Sequence, residues 1–144
     1  MTVTIRAATA CDAAAIASLL AQLGYPRSDV STAQLLAAAQ KQLDQIVLVA
    51  SENDVVIGFA ALTYFYYFHT DQRLARLSSL AVDETMRSHG MGEALLNAAE
   101  RWARDNHCQV LELASNIKRV DAHRFYERLA YNKTGWRLWK AIPQ

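Results

Sequence analysis

The sequence predicts a mixed α/β fold: a mostly antiparallel central sheet with one parallel crossover near its middle and helices on both faces. Two amphipathic helical segments precede any long strand, and an apolar hairpin follows them. Roughly 27 residues that include a helical run separate two later strands, which is long enough for a parallel crossover. The length of 144 residues is that of one ordinary domain, so we expect residues 1–144 to fold as a single domain.

The first strand and helix have clear boundary signals. Residues 2–7 alternate as a short strand, and Thr9 precedes Asp12 by three residues, the spacing of a helix capping box. Apolar residues then recur at helical intervals up to Leu23, and Gly24 is a typical helix stop. We therefore predict a strand, a capped helix and a break.

A second helix and a hairpin follow. Ser31 and Gln34 repeat the capping pattern and predict the start of the second helix. Residues 46–50 form a continuous apolar run, typical of a buried strand, and residues 55–62 read as the returning strand after a polar turn. An aromatic run continues the second strand.

The second half alternates strands and helices. Residues 74–82 predict a long strand that leads through a glycine-containing loop, residues 87–92, into an amphipathic helix. Residues 110–114 predict another strand, residues 121–129 a last helix, and residues 136–140 a final alternating strand.

Bulk properties exclude several classes of protein. The chain is 52% hydrophobic and 20% charged, so it is predicted to bury a core. A net charge of +1 gives no reason to expect a nucleic-acid partner. We see neither a signal-peptide core nor an apolar run of about 18 residues, and therefore expect a soluble cytoplasmic protein without a membrane partner.

The loop at residues 87–92 has features that suit a phosphate. It joins a strand to a helix, whose first turn has free N–H groups and a partial positive charge. Gly90 and Gly92 lack a Cβ atom, so a ligand could approach the backbone, and Arg87 adds a cation. The pattern is neither G-x-G-x-x-G nor a P-loop, and alone it also fits a plain helix start.

Tyr126 is the candidate acid. It falls on the same helical face as Ala122 and Leu129, so its ring can be held by the core while its hydroxyl reaches a cleft. A phenol with a pKa of about 10 is a proton donor at neutral pH. By itself the pattern also fits a core tyrosine.

Together, the Arg87-Ser88-His89-Gly90-Met91-Gly92 loop and the helix Ala122–Leu129 resemble the GNAT superfamily of acyl-CoA-dependent N-acetyltransferases. The resemblance covers nearly the whole chain in element order. It implies that acetyl-CoA is the co-substrate and that no metal is required.

The resemblance also implies roles for individual residues. Backbone N–H groups of the loop, Arg87, Ser88, His89, Gly90, Met91 and Gly92, would bind the pyrophosphate. Leu80 and Val82 would pair with the pantetheine arm, as an added strand does. The N–H near Leu80 would polarise the thioester carbonyl, and Tyr126 would protonate the departing thiolate.

Three positions depart from the family pattern. Arg119 stands where many members have asparagine; Asn116 would then contact pantetheine and Arg119 a CoA phosphate. Ala130 replaces a common glycine after the last helix. No general base is evident, because the long strand offers Ser78 and Ser79 where some members have glutamate; a neutral amine, or a water chain to Glu112 or a tyrosine, could suffice.

The acceptor is less constrained than the donor. Tyr25, Tyr64, Tyr66 and Ser78 are the expected walls of its pocket. We expect acetyl transfer to a primary amine of a small molecule or peptide, by direct attack in a ternary complex. The alternative is a catalytically silent acyl-CoA-binding regulatory module, and a homodimer is a further expectation.

Overall fold

The computed structural model describes residues 2–144, which divide into two compact units, the first ending at Leu113 and the second spanning Ala114–Gln144. The first unit contains helices α1 (Ala13–Gln22), α2 (Asp29–Gln40) and α3 (Met91–Asp105). Its strands are β1 (Val3–Ala7), β2 (Gln45–Glu52), β3 (Val55–Tyr66), β4 (Arg73–Val82) and β5 (Val110–Leu113). The second unit contains α4 (Val120–Arg128). The expectation of a single domain stays a prediction.

The sheet has the order β1-β2-β3-β4-β5. The first three pairs are antiparallel, and β4 pairs with β5 in parallel through a crossover that contains α3. The predicted mostly antiparallel sheet with one parallel crossover is confirmed. The parallel pair is the last pair in the order of the described strands.

Helices cover both faces of the sheet, as predicted. Phe59 of β3 packs in a buried cluster with Ile16 of α1 and Leu36 of α2. The neighbouring Gly58 points to the opposite face, where an added Cβ would lie 3.0 Å from a methyl group of Leu95 in α3. Glycine at this position therefore allows α3 to approach the sheet closely.

The predicted capping box at the start of the first helical segment is confirmed. The Asp12 carboxylate accepts a hydrogen bond of 2.8 Å from the Thr9 N–H. The Arg6 guanidinium donates two more, of 2.8 and 2.9 Å, and holds the pKa of Asp12 below its ordinary value. This nearly buried carboxylate thus joins β1 to α1.

The predicted start of the second helix, with Ser31 as its cap, is wrong because the helix begins before Ser31. The helix begins at Asp29, and Ser28 is its N-cap, whose hydroxyl accepts from the Ser31 N–H at 3.0 Å. Ser31 therefore lies inside the first turn. Serine suits both positions, and the earlier serine satisfies the free donors of the longer helix.

The predicted final strand at residues 136–140 is wrong. In the described chain, residues 131–144 form no helix or strand, and the side chains of Trp136 and Leu138 are 93% and 90% exposed. Alternation of apolar residues does not by itself make a strand, because a strand also requires backbone hydrogen bonds to a neighbour. No described strand supplies that neighbour here.

No described helix is long and apolar enough to cross a membrane.

Candidate active site

The number of strands that pair with β4 changes after Leu77. From Leu74 to Leu77 it lies between β3 and β5, and we call this segment the paired half. From Ser78 to Val82 it pairs with β3 alone, and we call this segment the open half. No strand within residues 2–144 pairs with the other edge of the open half.

The backbone of the open half alternates between its two edges. Just beyond β4, the Asp83 N–H donates to the Ile57 carbonyl of β3 at 2.7 Å. Successive residues of a strand direct their backbone groups to opposite edges. Val82 and Leu80 therefore direct their N–H and C=O groups to the open edge, where an extended ligand can pair with them.

Ser78 is a bulge at the junction of the two halves. Ala61 pairs with Ser79 and Leu62 with Leu77, so Ser78 is the extra residue on β4. Its hydroxyl donates to the Ala61 carbonyl at 3.2 Å. Such bulges end regular pairing and bend a strand, and they are common beside active sites.

The loop after β4 ends in a left-handed turn. Gly90 has φ 81° and Ser88 has φ 66°, conformations that glycine adopts readily and serine rarely. The first helical hydrogen bond of α3 runs from the Ala94 N–H to the Gly90 carbonyl at 3.0 Å. The N–H groups of Met91 and Gly92 thus precede the helical hydrogen bonds and remain suited to an anion. The buried Met91 side chain anchors this end of the helix.

The basic side chains of the loop are exposed. Arg87 Nε donates to the Val82 carbonyl at 3.4 Å, a long hydrogen bond on the open edge. His89 Nδ1 donates to the Arg87 carbonyl at 2.8 Å, so the ring covers its own loop and leaves Nε2 outward. Both residues lie where a phosphate at the α3 N-terminus would meet positive charge or N–H donors.

A side-chain bridge joins α1 to the start of this loop. Gln22 Nε2 donates to the Asp83 carboxylate at 3.1 Å, and Gln22 Oε1 accepts from the Glu84 N–H at 3.0 Å. Hydrogen bonds from Thr85 lower the pKa of Asp83. Asp83 is the N-cap of the 3₁₀ turn Glu84–Met86, so Gln22 helps to hold the segment before Arg87.

In the second unit, Tyr126 lies on α4 as predicted and is half-buried. Its ring meets Phe125 and Tyr131 edge-on, with centroids 5.2 and 5.9 Å away. Burial raises the pKa of the Tyr126 hydroxyl, and the positive charge of Arg119 opposes this rise. The hydroxyl therefore remains a proton donor at neutral pH.

Asn116 and Arg119 shape the start of α4. Asn116 Oδ1 accepts from the Lys118 N–H at 2.9 Å, and Arg119 is the N-cap residue of the helix. At the other end, Ala130 has φ 69°. The chain therefore keeps the left-handed turn with alanine, at a cost of about 1–2 kcal/mol.

A cavity of about 340 Å³ lies in the first unit, between the sheet and helices α1 and α2. Aliphatic residues of both helices and of strands β2 and β3, with Phe59, form most of its wall, and Ser78 and Ser79 of β4 also line it. Its polar lining residues carry only hydroxyl or amide groups and are Thr32, Gln45, Thr63, Ser78 and Ser79. Within the described chain, no ionisable side chain lines it.

Of the four predicted wall residues, only Ser78 lines this cavity. Tyr25 is 70% exposed at the end of α1. Tyr64 packs on Trp102 of α3 with centroids 5.7 Å apart, and the Tyr66 hydroxyl accepts from Arg73 at 2.6 Å. Tyr64 and Tyr66 thus lie on the α3 face, whereas the cavity lies on the α1–α2 face.

Two acidic residues near this strand, Glu112 and Asp83, have engaged carboxylates. The Arg76 guanidinium donates to Glu112 at 2.5 and 2.9 Å on the paired half. The Glu84 backbone is held by Gln22, as described above. As expected from the sequence, no carboxylate takes the place of a general base on the described β4.

A family model described as the Acetyltransferase (GNAT) family matches residues 14–131. The chain belongs to this family. The match includes the open half of β4, the 87–92 loop and Tyr126, and it confirms the resemblance inferred from the sequence.

Two curated relatives and one solved structure extend this result. The chain is 36% identical over 94 residues to an aminoalkylphosphonate N-acetyltransferase of Salmonella typhimurium, across 65% of this chain and 61% of that protein. It is 30% identical over 143 residues to aminoglycoside N(6′)-acetyltransferase type 1 of Stenotrophomonas maltophilia, across 97% of this chain and 93% of that one. An aminoglycoside N-acetyltransferase solved in complex with CoA shares the fold, with a TM-score of 0.86 and 17% identity over 98% of this chain and 95% of that chain. The chain is thus an acetyltransferase, as expected, although it spans less than two thirds of the first relative.

Sequence reasoning missed three features of this site. The bulge at Ser78, the cavity and the Gln22 bridge all depend on pairs of residues far apart in the chain. No local motif identifies them. The serines within β4 were the only available signal, because serine is unusual in a buried apolar strand.

Proposed function

We propose that the protein transfers an acetyl group from acetyl-CoA to a primary amine of a small molecule or peptide, by direct attack in a ternary complex. The open half of β4, which leads through a 3₁₀ turn and a short loop into the N-terminus of α3, carries this proposal. An extended arm that contains amides fits the open half of β4, and a pyrophosphate fits the N-terminus of α3. CoA contains an amide-containing arm followed by a pyrophosphate.

The donor would be held mainly by backbone groups. N–H groups of Ser88 to Gly92 would face the pyrophosphate, with Arg87 adding charge. Leu80 and Val82 would exchange hydrogen bonds with the amides of the arm. Contacts to backbone explain why glycine, rather than a particular side chain, matters at the start of the helix.

The chemical step needs one group that donates a proton to the thiolate and one N–H group that donates a hydrogen bond to the carbonyl oxygen. The acceptor nitrogen forms a bond to the acetyl carbonyl carbon while the Leu80 N–H donates to the carbonyl oxygen, on which charge develops. The carbon–sulfur bond then breaks, and the thiolate takes the proton of Tyr126. The proton that the amine nitrogen loses passes to solvent, which returns one to Tyr126.

Asn116 and Arg119 complete the proposed donor site. Arg119 stands where many family members have asparagine, so we assign the pantetheine contact to Asn116 instead, and the cationic Arg119 suits a CoA phosphate. The positive charge of Arg119 also favours the ionised form of Tyr126, which helps the phenol to release its proton.

Two measurements test the proposal together. Acetyl-CoA at 100 times its Kd should stabilise the fold by about 2.7 kcal/mol and raise Tm, whereas ATP and NAD at equal concentration should not. Amine-dependent release of CoA thiol then measures transfer. Equal Tm shifts from all three ligands would refute the donor assignment. A shift without transfer to any amine would identify a silent acyl-CoA-binding module instead.

We also propose that the chain forms a homodimer through residues 136–142. The apolar side chains of Trp136, Leu138, Trp139 and Ile142 are all more than 70% exposed. Exposed apolar clusters commonly mark an interface, and alternation suits pairing with an edge strand of a second copy. Light scattering should give twice the monomer mass, and Trp136→Ser with Trp139→Ser should give the monomer mass.

A further inference from the structure

The cavity between α1, α2 and the sheet limits what kind of amine the enzyme can accept. Its volume of about 340 Å³ is at the lower end of the range for small-molecule sites. Ser78 and Ser79, the first residues of the open half, line it, and Leu80, the proposed thioester position, follows them in the strand. An acceptor whose nitrogen reaches Leu80 past these serines would place the rest of its body in the cavity.

The cavity wall offers nothing that would hold a charge. Thr32 is buried, and its hydroxyl is engaged by the Ser28 carbonyl at 2.8 Å, which leaves its methyl group for the cavity. The Ser78 hydroxyl is engaged by Ala61. The polar groups that remain, on Gln45, Thr63 and Ser79, are neutral.

The adjacent ionic groups neutralise each other. Arg76 pairs with Thr63 of the cavity wall across the strands, and its guanidinium binds Glu112. A second ammonium or a phosphonate on the acceptor would therefore enter an apolar space without a free counter-ion. Burying an unpaired charge is strongly unfavourable.

We propose that the acceptor is a primary amine on an uncharged, mainly apolar body, such as an alkyl or arylalkyl chain. The proposal rests on the proposed acetyl transfer and names its substrate class. It separates this enzyme from the aminoglycoside and aminoalkylphosphonate acetyltransferases to which it is similar, since those acceptors carry several charges.

Matched acceptors test the proposal directly. Hexylamine and 1,5-diaminopentane have similar lengths and differ by one buried charge, and 2-phenylethylamine adds an aromatic body. We expect kcat/KM for hexylamine and 2-phenylethylamine to exceed that for 1,5-diaminopentane, an aminoglycoside and an aminoalkylphosphonate by about 100-fold or more.

Two variants and one control variant connect this preference to the cavity. Ala39 of α2 lines the cavity, whereas its neighbour Ala38 is exposed and does not. Ala39→Phe should raise KM for hexylamine about 10-fold or more without changing the Kd of acetyl-CoA, and Ala38→Phe should change neither. Leu35→Glu, which places a carboxylate at the cavity, should increase kcat/KM for 1,5-diaminopentane relative to hexylamine.

The outcomes separate the two proposals. Efficient acetylation of the aminoglycoside or diamine in preference to hexylamine would overturn the apolar-acceptor proposal and leave acetyl transfer intact. Binding of acetyl-CoA without acetylation of any amine would overturn both. If Ala39→Phe fails to fold, the acceptor panel and Leu35→Glu still decide.

Discussion

The two halves of β4 share a neighbour, β3, and differ in what lies at their other edge. In the paired half, β5 pairs with the backbone at that edge, and Leu74, Ala75 and Leu77 are buried. In the open half, the backbone of Leu80 and Val82 has no strand partner in the described structure, and both residues are half-buried. One strand thus supplies stability with its first half and, in the proposed site, hydrogen bonds for a ligand with its second.

The change between the two halves coincides with one extra residue in β4. Ser78 shifts the register with β3 by one position, at the point where pairing with β5 ends. A bulge increases the local bend and twist of a strand. Because pairing with β5 ends there, the open edge of β4 extends only from Ser78 to Val82, which limits its liability to aggregation.

The largest effect is expected from removing one N–H group of the open half. Leu80→Pro deletes the donor that we assign to the thioester carbonyl, and proline is tolerated where the N–H faces an open edge. We expect kcat to fall by about 10²–10³-fold, the usual loss for one oxyanion donor. Steady-state thiol release measures this change.

Ala81→Pro is the matched control. By the same alternation, the Ala81 N–H points towards β3, so its loss breaks the sheet and should lower Tm sharply. Leu80→Pro should retain most of the wild-type Tm. A folded Leu80→Pro enzyme with full activity would contradict the assigned roles of the two edges.

Tyr126→Phe should have the next largest effect. Removal of the acid should lower kcat by about 10²-fold or more while the Kd of acetyl-CoA stays unchanged. Tyr67→Phe, which removes a hydroxyl at the far end of the sheet, is the control. Unchanged turnover in Tyr126→Phe would remove this residue from the mechanism.

The pH profile gives a second measurement on Tyr126. An acid catalyst must be protonated, and burial raises the pKa of Tyr126 above the ordinary value of about 10. Activity that depends on this proton should therefore persist to pH 10 and decline only above it. A decline that begins well below pH 10 and is absent in Tyr126→Phe would contradict the raised pKa.

Gly90→Asp should weaken donor binding with a smaller effect on kcat. Gly90 and Gly24 both have left-handed backbones and open space where a Cβ would stand, with φ 81° and 91°. The same substitution at each position should therefore cost similar stability, about 1–2 kcal/mol. Only the carboxylate at Gly90 would meet the proposed pyrophosphate, so we expect its Kd for acetyl-CoA to rise about 10-fold or more, and that of Gly24→Asp to remain near wild type. Calorimetry measures both constants, and equal values for the two variants would contradict the phosphate loop.

Local signals predicted much of this fold. Apolar spacing identified the strand–loop–helix order around residues 74–92, and the Thr9–Asp12 spacing identified a capping box that the structure confirms. These features depend on residues close together in the chain. The strand predicted at residues 136–140 failed because strand formation depends on a distant partner, which alternation does not reveal.

The candidate site was predictable only in part, for the same reason. The 87–92 loop and Tyr126 carry local patterns, whereas the cavity is made by residues from five different elements. Tyr64 and Tyr66 were expected as acceptor walls because their rings and hydroxyls suit an amine. Successive residues of a strand point to opposite faces of the sheet, so Tyr64 and Tyr66 lie on the α3 face, opposite to Thr63 and the cavity. The amino-acid composition of this segment does not show which face each tyrosine occupies.

The smallest effect is expected at Gln22, which tests how firmly the end of the open half is held. Gln22→Leu keeps the size of the side chain and removes both hydrogen bonds, to Asp83 and from the Glu84 N–H. One neutral hydrogen bond contributes about 0.5–1.5 kcal/mol, so we expect the Kd of acetyl-CoA to rise about 2–10-fold with kcat nearly unchanged.

A purely structural role for Gln22 would lower Tm without altering affinity for the donor, so both quantities must be measured. Loss of the Gln22 amide should also raise the pKa of Asp83 towards its ordinary value, which NMR titration of the carboxylate can follow, although the stronger hydrogen bonds from Thr85 remain. A raised pKa at Asp83 together with an unchanged Kd would show that the bridge orders the turn but not the phosphate loop. The open half would then be positioned by its pairing with β3 and by the packing of Ala81 in the cluster that contains Phe59 and Ile16.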